Sequence, residues 1–247
     1  MKITVVGATG QIGAQVVTLL TAAGHEVIGA ARSTGADVLT GEGLAEALAG
    51  ADVVVDVTNS PSFEDEPAAA FFTTESANVV AAAKTAGVGH YVCLSIVGVD
   101  GLPDNGYMRA KVVQETTIAT SGLPYTIVRA TQFHEFANII VGSLLVEGAI
   151  RAPDARIQPV AAAEVAAEVA DAAQDNPVNG IVDVGGPEKM SFAQLARTLI
   201  SARGETTPVV VDPTATYFGT SVGQDSLVTG LGAVIADTKL GDWLAAR

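Results

Sequence analysis

Short apolar runs alternate with longer helical patterns along the first half of the chain, and this alternation restricts the possible folds more than any other feature of the sequence. The apolar runs predict buried strands, and the helical patterns between them predict helices that cover both faces of a parallel sheet. The sequence therefore predicts an α/β fold. The predicted strands are Lys2–Val6, Glu26–Ala30, Asp37–Leu39, Ala51–Val57, His90–Ser95 and Tyr125–Arg129, and the predicted helices are Gln11–Ala23, Gly43–Leu48, Pro67–Ala86 and Tyr107–Thr120.

A glycine-rich loop, Gly7-Ala8-Thr9-Gly10-Gln11-Ile12-Gly13, separates the first predicted strand from the first predicted helix. Gly7 permits a tight turn, Gly10 lets the backbone approach a pyrophosphate, and Gly13 allows the helix to pack closely on the strand. Free amides at the helix N-terminus attract the negative charge. The loop predicts a dinucleotide site, with a glycine-rich turn that binds no ligand as the alternative. The predicted cofactor contacts in this loop are Gly7, Thr9, Gly10, Gln11 and Ile12.

The residues after the second predicted strand indicate which dinucleotide binds. An acidic side chain at this position receives the ribose hydroxyls of NAD, whereas a basic side chain accommodates the 2′-phosphate of NADP. Here the position holds Arg32, followed by Ser33 and Thr34, and no carboxylate is present in the segment. Because a guanidinium and hydroxyls suit a phosphate, we predict NADP(H), contacted by Arg32 and Ser33. The alternative is a solvated loop arginine.

A Tyr-x-x-x-Lys pattern, Tyr107 to Lys111, begins the predicted helix that follows Ser95. Residues at i and i+4 share one helix face, so the Lys111 ammonium is expected to lower the pKa of the Tyr107 phenol and also to hold a nicotinamide ribose. Ser95, at the end of its strand, is expected to hydrogen-bond the substrate oxygen on which charge develops. These three residues are the predicted catalytic groups. A surface pair is the alternative for the tyrosine and the lysine.

The C-terminal third of the chain has a less regular pattern. Its turn-rich segments, 142–153 and 175–177, are too short to separate domains, and a chain of 247 residues can bury one substantial core. We therefore predict a single NAD(P)-binding domain, with 1–135 mainly the nucleotide-binding body and 136–247 mainly a small α/β substrate lobe. Predicted elements of this lobe are helices Ala161–Gln174 and Ser191–Arg203 and strands Ile181–Val184 and Thr206–Val211.

Charge and composition exclude several functions. With 13 Lys and Arg against 27 Asp and Glu, the formal charge is −14, which argues against nucleic acid and membrane surfaces as partners. One cysteine and three scattered histidines predict no metal site. Of these, His134 could face a substrate, although a lone histidine among aromatic residues is more often a packed one. We find no signal-peptide pattern and no long apolar span, so we expect a cytoplasmic protein, monomeric or homodimeric.

The chain resembles the NmrA-like, NAD(P)H-binding branch of the atypical short-chain dehydrogenase/reductases over essentially its whole length. The glycine loop and Ser95-Ile96-Val97-Gly98 leading to Tyr107 and Lys111 carry this resemblance. Further matching segments are Thr40-Gly41-Glu42-Gly43-Leu44, Asn59-Ser60-Pro61-Ser62-Phe63, Ile127-Val128-Arg129-Ala130-Thr131-Gln132-Phe133, Gly185-Gly186-Pro187-Glu188 and Tyr217-Phe218-Gly219.

The resemblance implies a Rossmann-type, doubly wound body with a small substrate lobe. It also implies a cofactor cleft lined by Thr58, Asn59 and Ser60 and by the segment Ala130-Thr131-Gln132-Phe133, from which we predict Ala130, Thr131 and Phe133 as cofactor contacts. The branch includes quinone reductases, other NADPH-linked reductases and non-catalytic redox sensors.

Many sensors of the branch lack the catalytic tyrosine, which this chain keeps at position 107. We therefore expect an NADPH-dependent oxidoreductase that transfers hydride to a small apolar or aromatic carbonyl, enone or quinone-like substrate. The alternatives are a redox sensor that acts through a protein partner and a non-redox isomerase.

Overall fold

The computed structural model describes residues 1–246, which contain twelve β-strands and eight α-helices. The strands are β1 (Lys2–Val6), β2 (Glu26–Ala30), β3 (Val53–Asp56), β4 (His90–Ile96), β5 (Tyr125–Ala130), β6 (Leu145–Val146), β7 (Ala149–Ala152), β8 (Arg156–Ile157), β9 (Gly180–Gly185), β10 (Met190–Ser191), β11 (Val209–Val211) and β12 (Val234–Ile235). The helices are α1 (Gln11–Ala22), α2 (Leu44–Leu48), α3 (Asp65–Ala86), α4 (Gly106–Ala119), α5 (Ala137–Ser143), α6 (Ala162–Gln174), α7 (Phe192–Ala202) and α8 (Leu240–Ala245).

Seven strands form one sheet in the order β2-β1-β3-β4-β5-β9-β12. β1 pairs in parallel with both β2 and β3, and β3 pairs in parallel with β4. The strand order therefore reverses at β1, which has β2 on one side and β3 on the other. In such sheets the ligand crevice lies beyond the carboxyl ends of the strands at this reversal. The prediction of an α/β fold with a Rossmann-type parallel sheet is confirmed.

The described chain divides into two compact units, each built from separate segments. The first unit comprises Met1–Ser95, Gly106–Arg129 and Val165–Val182. The second comprises Ile96–Asn105, Ala130–Glu164 and the chain from Asp183 onwards. The glycine loop and all three predicted catalytic residues belong to the first unit.

The core of the first unit follows from the sequence pattern. All four residues of β3 are buried, as expected for a parallel strand that is covered on both faces. Helix α1 buries Ile12, Val16 and Leu20, which recur every four residues and form one stripe on its surface. Helix α3 ends at Gly87, whose left-handed backbone (φ +71°) caps the last turn.

The second unit contains two small sheets and confirms the predicted C-terminal α/β region. β7 pairs in parallel with β11 and antiparallel with β6, so this three-stranded sheet is mixed. β8 and β10 form a separate antiparallel pair. Helix α7 begins at the predicted cap, where the Ser191 hydroxyl accepts from the Gln194 amide and the Gln194 side chain accepts from the Ser191 amide.

One predicted strand is wrong. Residues 37–39 form a turn, in which the Asp37 carboxylate accepts a hydrogen bond from the Leu39 amide at 2.8 Å. The Asp37 amide donates to the Glu42 carbonyl at 2.8 Å, and the Asp37 carbonyl accepts from the Gly41 amide at 2.8 Å. These local bonds satisfy the polar groups that a strand would present to a neighbour.

Candidate cofactor and active site

The glycine loop lies at the reversal of the sheet, directly against the end of β3. A Cβ atom added to Gly7 would come within 3.0 Å of the Val57 carbonyl, and one added to Gly13 would come within 2.2 Å of the Gly7 carbonyl oxygen. Gly7 also has a positive φ of 84°. Larger residues would therefore force the loop away from the sheet.

The N-terminus of α1 suits a pyrophosphate. Its N-cap is Gly10, which has no side chain to accept from the first-turn amides, and no acidic residue occupies the first turn. An anion would therefore meet free N–H groups and the positive end of the helix dipole. Thr9, Gly10 and Gln11 are exposed, whereas the Ile12 side chain is buried, so Ile12 can offer only its backbone. This arrangement fits the dinucleotide that the loop predicts.

Arg32 and Ser33 lie in a short 3-10 helix that directly follows β2, and both are exposed. The turn is held by Thr34, whose hydroxyl accepts from the Ala31 amide at 2.9 Å. Within residues 1–246 the Arg32 guanidinium has no ion-pair partner among the carboxylates. It can therefore reach a phosphate without breaking an existing bond.

The loop after β3 contains the predicted contacts Thr58, Asn59 and Ser60. The Thr58 hydroxyl donates to the Asp56 carboxylate at 2.8 Å, and the Ser60 hydroxyl accepts from the Ser62 amide at 3.2 Å. These two side chains shape the loop. Asn59 is exposed, and its side-chain oxygen accepts a hydrogen bond from the Tyr107 hydroxyl.

Tyr107 is held at the carboxyl edge of the sheet by this bond and by two aromatic rings. Its ring centroid lies 5.2 Å from that of Phe63 and 5.7 Å from that of Phe72. Burial raises the pKa of Tyr107 well above its ordinary value of 10, and the Asn59 hydrogen bond lowers it by less. The phenol therefore holds its proton at neutral pH and is a weaker acid than an ordinary tyrosine.

Lys111 does not lower the pKa of Tyr107, so this part of the prediction is wrong. Its ammonium donates to the Leu94 carbonyl at 2.8 Å and to the Gln114 side chain, and it lies 4.8 Å from the centre of the Phe72 ring. The side chain is only 3% exposed. Although i and i+4 share a helix face, the lysine chain turns inward toward buried acceptors. Its contact with a cofactor ribose stays a prediction.

A buried polar network around Lys111 was missed by the sequence analysis. The Asp56 carboxylate accepts from the Tyr91 hydroxyl at 2.8 Å and from the Gln114 amide at 3.0 Å, and Gln114 also donates to Glu75 at 3.2 Å. Burial and then the charge of Asp56 raise the pKa of Glu75 well above its ordinary value, although Lys111 opposes this. Two features of the sequence could have indicated this network: Asp56 is a carboxylate at the end of the apolar run of β3, and Glu75 is a glutamate inside helix α3.

Ser95 lies near the carboxyl end of β4 and is 3% exposed. Its hydroxyl has no hydrogen-bond partner within residues 1–246. Buried hydroxyls are normally bonded, so this oxygen is available to a ligand. The structure therefore keeps the predicted polar group at the sheet edge but does not bond it to Tyr107 or Lys111.

The remaining predicted contacts, Ala130, Thr131 and Phe133, belong to the second unit. The Thr131 amide donates to the Val184 carbonyl at 2.9 Å, while its hydroxyl is buried without a partner in the described chain. Phe133 forms a parallel bridge with Val160. The side chains of the adjacent Gln132 and His134 also bury unpartnered polar atoms.

Among residues 1–246, no three His, Cys, Asp or Glu side chains come together in a way that would hold a metal ion. None of the helices in the same range is long and apolar enough to cross a membrane.

Comparison with known proteins gives a family and a fold. The model of a family described as NAD(P)H-binding matches residues 7–176. No curated protein matches the chain in sequence.

Solved structures share the fold at low sequence identity. An NADPH-dependent quinone oxidoreductase from Escherichia coli is 19% identical, with a TM-score of 0.68 over 99% of this chain and 98% of that one. The triphenylmethane reductase of Citrobacter sp. is 22% identical, with a TM-score of 0.67 over 86% of this chain and 79% of that one. A nucleoside-diphosphate-sugar epimerase from Staphylococcus aureus is 21% identical, with a TM-score of 0.69 over 87% and 81%.

Proposed function

Because the chain belongs to the NAD(P)H-binding family, we propose that it is an NADPH-dependent oxidoreductase that reduces a carbonyl, enone or quinone-like small molecule. The observation that carries this proposal is the position of the Tyr107 hydroxyl, which is hydrogen-bonded to Asn59 in the loop after β3. Gly7 of the glycine loop lies against Val57 and Thr58. Asn59 is the next residue and accepts the Tyr107 hydrogen bond, so the phenol is close to the glycine loop, which fits the dinucleotide. Two of the similar solved structures are an NADPH-dependent quinone oxidoreductase and a triphenylmethane reductase.

Tyr107 supplies the proton in the proposed reaction. Bound NADPH would supply the hydride, which adds to the electrophilic carbon of the substrate. The Tyr107 hydroxyl donates its proton to the substrate oxygen as negative charge develops there, and solvent later reprotonates the phenolate. Asn59 orients the phenol, and the Ser95 hydroxyl stabilises the developing oxyanion.

We also propose a preference for NADP(H) over NAD(H). Its support is the exposed Arg32 guanidinium after β2, together with the Ser33 hydroxyl and the absence of a carboxylate from residues 30–34. The test is a titration with both reduced cofactors, followed by the change in nicotinamide fluorescence. Tighter binding of NADH than of NADPH would refute the assignment.

The reductase proposal is tested by incubating the protein with NADPH and a panel of quinones, enones and aldehydes while following absorbance at the nicotinamide band. Tyr107→Phe is expected to reduce turnover by roughly 10²–10⁴-fold, the usual contribution of general acid catalysis, with cofactor affinity unchanged. Tyr125→Phe, which alters another tyrosine of the same unit, is the matched control and should keep full activity.

Two outcomes would contradict the proposal. Full turnover by Tyr107→Phe would show that the phenol is not the acid. No oxidation of NADPH with any acceptor, combined with binding that distinguishes NADPH from NADP⁺, would favour a redox sensor instead.

A further inference from the structure

The Asp56 carboxylate, at the end of β3, is fully buried and accepts two hydrogen bonds on each of its oxygens. One oxygen accepts from the Thr58 amide at 3.0 Å and from the Thr58 hydroxyl at 2.8 Å. The other oxygen accepts from the Tyr91 hydroxyl at 2.8 Å and from the Gln114 side chain at 3.0 Å. A carboxylate is costly to bury unless donors surround it, and these bonds supply the donors. Asp56 therefore joins the loop after β3 to β4 and to α4.

Helix α4 is bonded to the end of β3 and its loop at two points. Gln114 donates to Asp56, and the Tyr107 hydroxyl donates to the Asn59 side chain. Tyr107 and Gln114 are seven residues apart in α4, which is close to two helical turns, so their side chains leave the same face of the helix. The two bonds therefore fix both the rotation of α4 and its position along its axis relative to the loop.

These contacts form a closed ring within the first unit. From Asp56 the ring runs through Thr58 to Asn59, crosses to Tyr107, follows α4 to Gln114 and returns to Asp56. Hydrogen bonds at three places and two stretches of the chain close it. Because the ring is closed, a change at the contact between Asp56 and Thr58 moves Asn59 relative to the phenol.

The Thr58 backbone is held by the glycine loop as well as by Asp56. A Cβ atom added to Gly7 would come within 3.1 Å of the Thr58 nitrogen, so the two loops are in close contact there. Asn59 is the next residue, and its side chain is exposed. The direction in which this side chain leaves the loop is therefore set by the backbone that Gly7 and Asp56 hold.

The aromatic neighbours of Tyr107 do not determine the direction of its hydroxyl. Phe63 and Phe72 contact the ring, with centroid distances of 5.2 Å and 5.7 Å. Such contacts orient the plane of a ring, whereas the hydroxyl of a tyrosine is directed by its hydrogen-bond partner. That partner is the Asn59 side-chain oxygen.

Glu75 is the other carboxyl group beside the ring. Burial raises the pKa of Glu75 well above its ordinary value, and the charge of Asp56 and a hydrogen bond with it raise it further. The charge of Lys111 and a hydrogen bond with Thr58 lower it by less. The neutral form that this favours can donate a hydrogen bond, so Glu75 supports the Asp56 carboxylate without adding a second negative charge.

We propose that Asp56 is a positioning residue that holds the Tyr107 hydroxyl in place for proton transfer. It acts through Thr58 and Asn59 on one side and through Gln114 of α4 on the other. The expected effect on turnover rests on the proposed reductase function, whereas the position of the phenol can be measured without turnover.

The position of the phenol is tested by ¹⁹F NMR of protein labelled with 3-fluorotyrosine. The chain contains four tyrosines, and Tyr107→Phe identifies the Tyr107 signal by its loss. Thr58→Val keeps the shape of the side chain and replaces the hydroxyl with a methyl group, so we expect the Tyr107 signal to shift. Tyr91→Phe is the matched control, because it removes a hydroxyl from the same carboxylate outside the ring. It should leave the Tyr107 signal in place.

Asp56→Asn tests the carboxylate itself. It keeps one side-chain oxygen and replaces the other with an amide nitrogen, so one pair of donors loses its acceptor. We expect the Tyr107 signal to shift in this variant as well. Thr58→Val decides the question even where Asp56→Asn does not fold.

Turnover with NADPH and a quinone is the second measurement. Thr58→Val should lower kcat by about tenfold or more and leave KM for NADPH within about twofold, since misplacing a reacting group by about 1 Å can cost about 100-fold. Tyr91→Phe should keep the native kcat even if it lowers Tm. In the Tyr107→Phe background, Thr58→Val should lower kcat no further, because residues that act as a unit have non-additive effects.

Three results would overturn the proposal. If Thr58→Val leaves the Tyr107 signal and kcat as Tyr91→Phe does, the contact with Asp56 only closes the turn. If Thr58→Val raises KM for NADPH without lowering kcat, its hydroxyl contacts the cofactor instead. If it lowers kcat by the same factor with and without the Tyr107 hydroxyl, the loss is a general structural effect.

Failure of the proposed function gives a different result. Full turnover by Tyr107→Phe would refute the phenol as proton donor. A Tyr107 signal that moves in Thr58→Val and not in Tyr91→Phe would still show that Asp56 positions the phenol.

Discussion

Replacing Lys111 with methionine tests whether this lysine serves the buried network or the cofactor. The substitution removes the donor to the Leu94 carbonyl and to the Gln114 side chain, and it removes a cation from the surroundings of Asp56 and Glu75. Each unsatisfied buried acceptor costs about 1–3 kcal/mol, and breaking a buried charge arrangement by removing one partner costs about 3–5 kcal/mol in total. We therefore expect a loss of about 3–5 kcal/mol.

This loss is measurable by thermal and urea unfolding. For a chain of this size, 1 kcal/mol lowers Tm by about 2–4 °C, so Lys111→Met should lower Tm by roughly 6–20 °C. Lys84→Met is the matched control, because the Lys84 ammonium also donates to a backbone carbonyl, that of Ser121 at 2.7 Å, but in an exposed position. It should change stability by about 0.5 kcal/mol or less.

The opposite pattern would refute the reasoning. If Lys111→Met unfolds no earlier than Lys84→Met and yet loses turnover or affinity for NADPH, the ammonium faces the cofactor in the working protein. The buried hydrogen bonds would then not be its main role.

Three other substitutions have defined outcomes. Glu75→Gln should stabilise the protein increasingly as pH rises above 4.5, because a carboxyl whose pKa is raised on folding contributes stability at low pH that is lost as pH increases. Urea unfolding of the variant and the native protein across a pH series checks this, and a difference in unfolding free energy that stays constant with pH would contradict it. Arg32→Ala should weaken NADPH binding by roughly 10–100-fold and leave NADH unchanged, since a charge-assisted bond to the 2′-phosphate is worth about 1.5–3 kcal/mol; equal losses for both cofactors would contradict this. Ser191→Ala should cost about 1 kcal/mol by removing the cap of α7, and unfolding that matches the native protein would show that the cap contributes little.

The strands and helices of the parallel sheet were largely predictable because each carries its own local pattern. β1 and β2 have the predicted bounds, and α1 and α3 differ from prediction by only one or two residues. The short elements of the second unit, such as β6 and β8, contain two residues each and have no period that a sequence could reveal.

The candidate site was predictable in its residue types but not in its contacts. A Tyr-x-x-x-Lys spacing places two side chains on one helix face, but it does not determine where a long, flexible lysine chain ends. In the structure, buried acceptors around Gln114 take the ammonium, and the exposed side chain of Asn59 meets the phenol. Asn59 lies far from Tyr107 in the sequence, and its segment predicted a cofactor contact rather than a bond to the phenol. Gln114 lies one helical turn after Lys111 and belongs to no recognisable motif.

The division of the first unit into separate segments has a consequence for the order in which the protein is synthesised. β9 neighbours β5 in the sheet, and the part of β9 that belongs to this unit, residues 180–182, is translated well after β5. While the ribosome adds residues 131–179, the nascent chain therefore carries β5 as an open sheet edge, which is a template for pairing with other chains. A nascent chain arrested in that interval should be the form most prone to aggregate and most dependent on chaperones, and the first unit should not fold from any contiguous fragment that stops before β9.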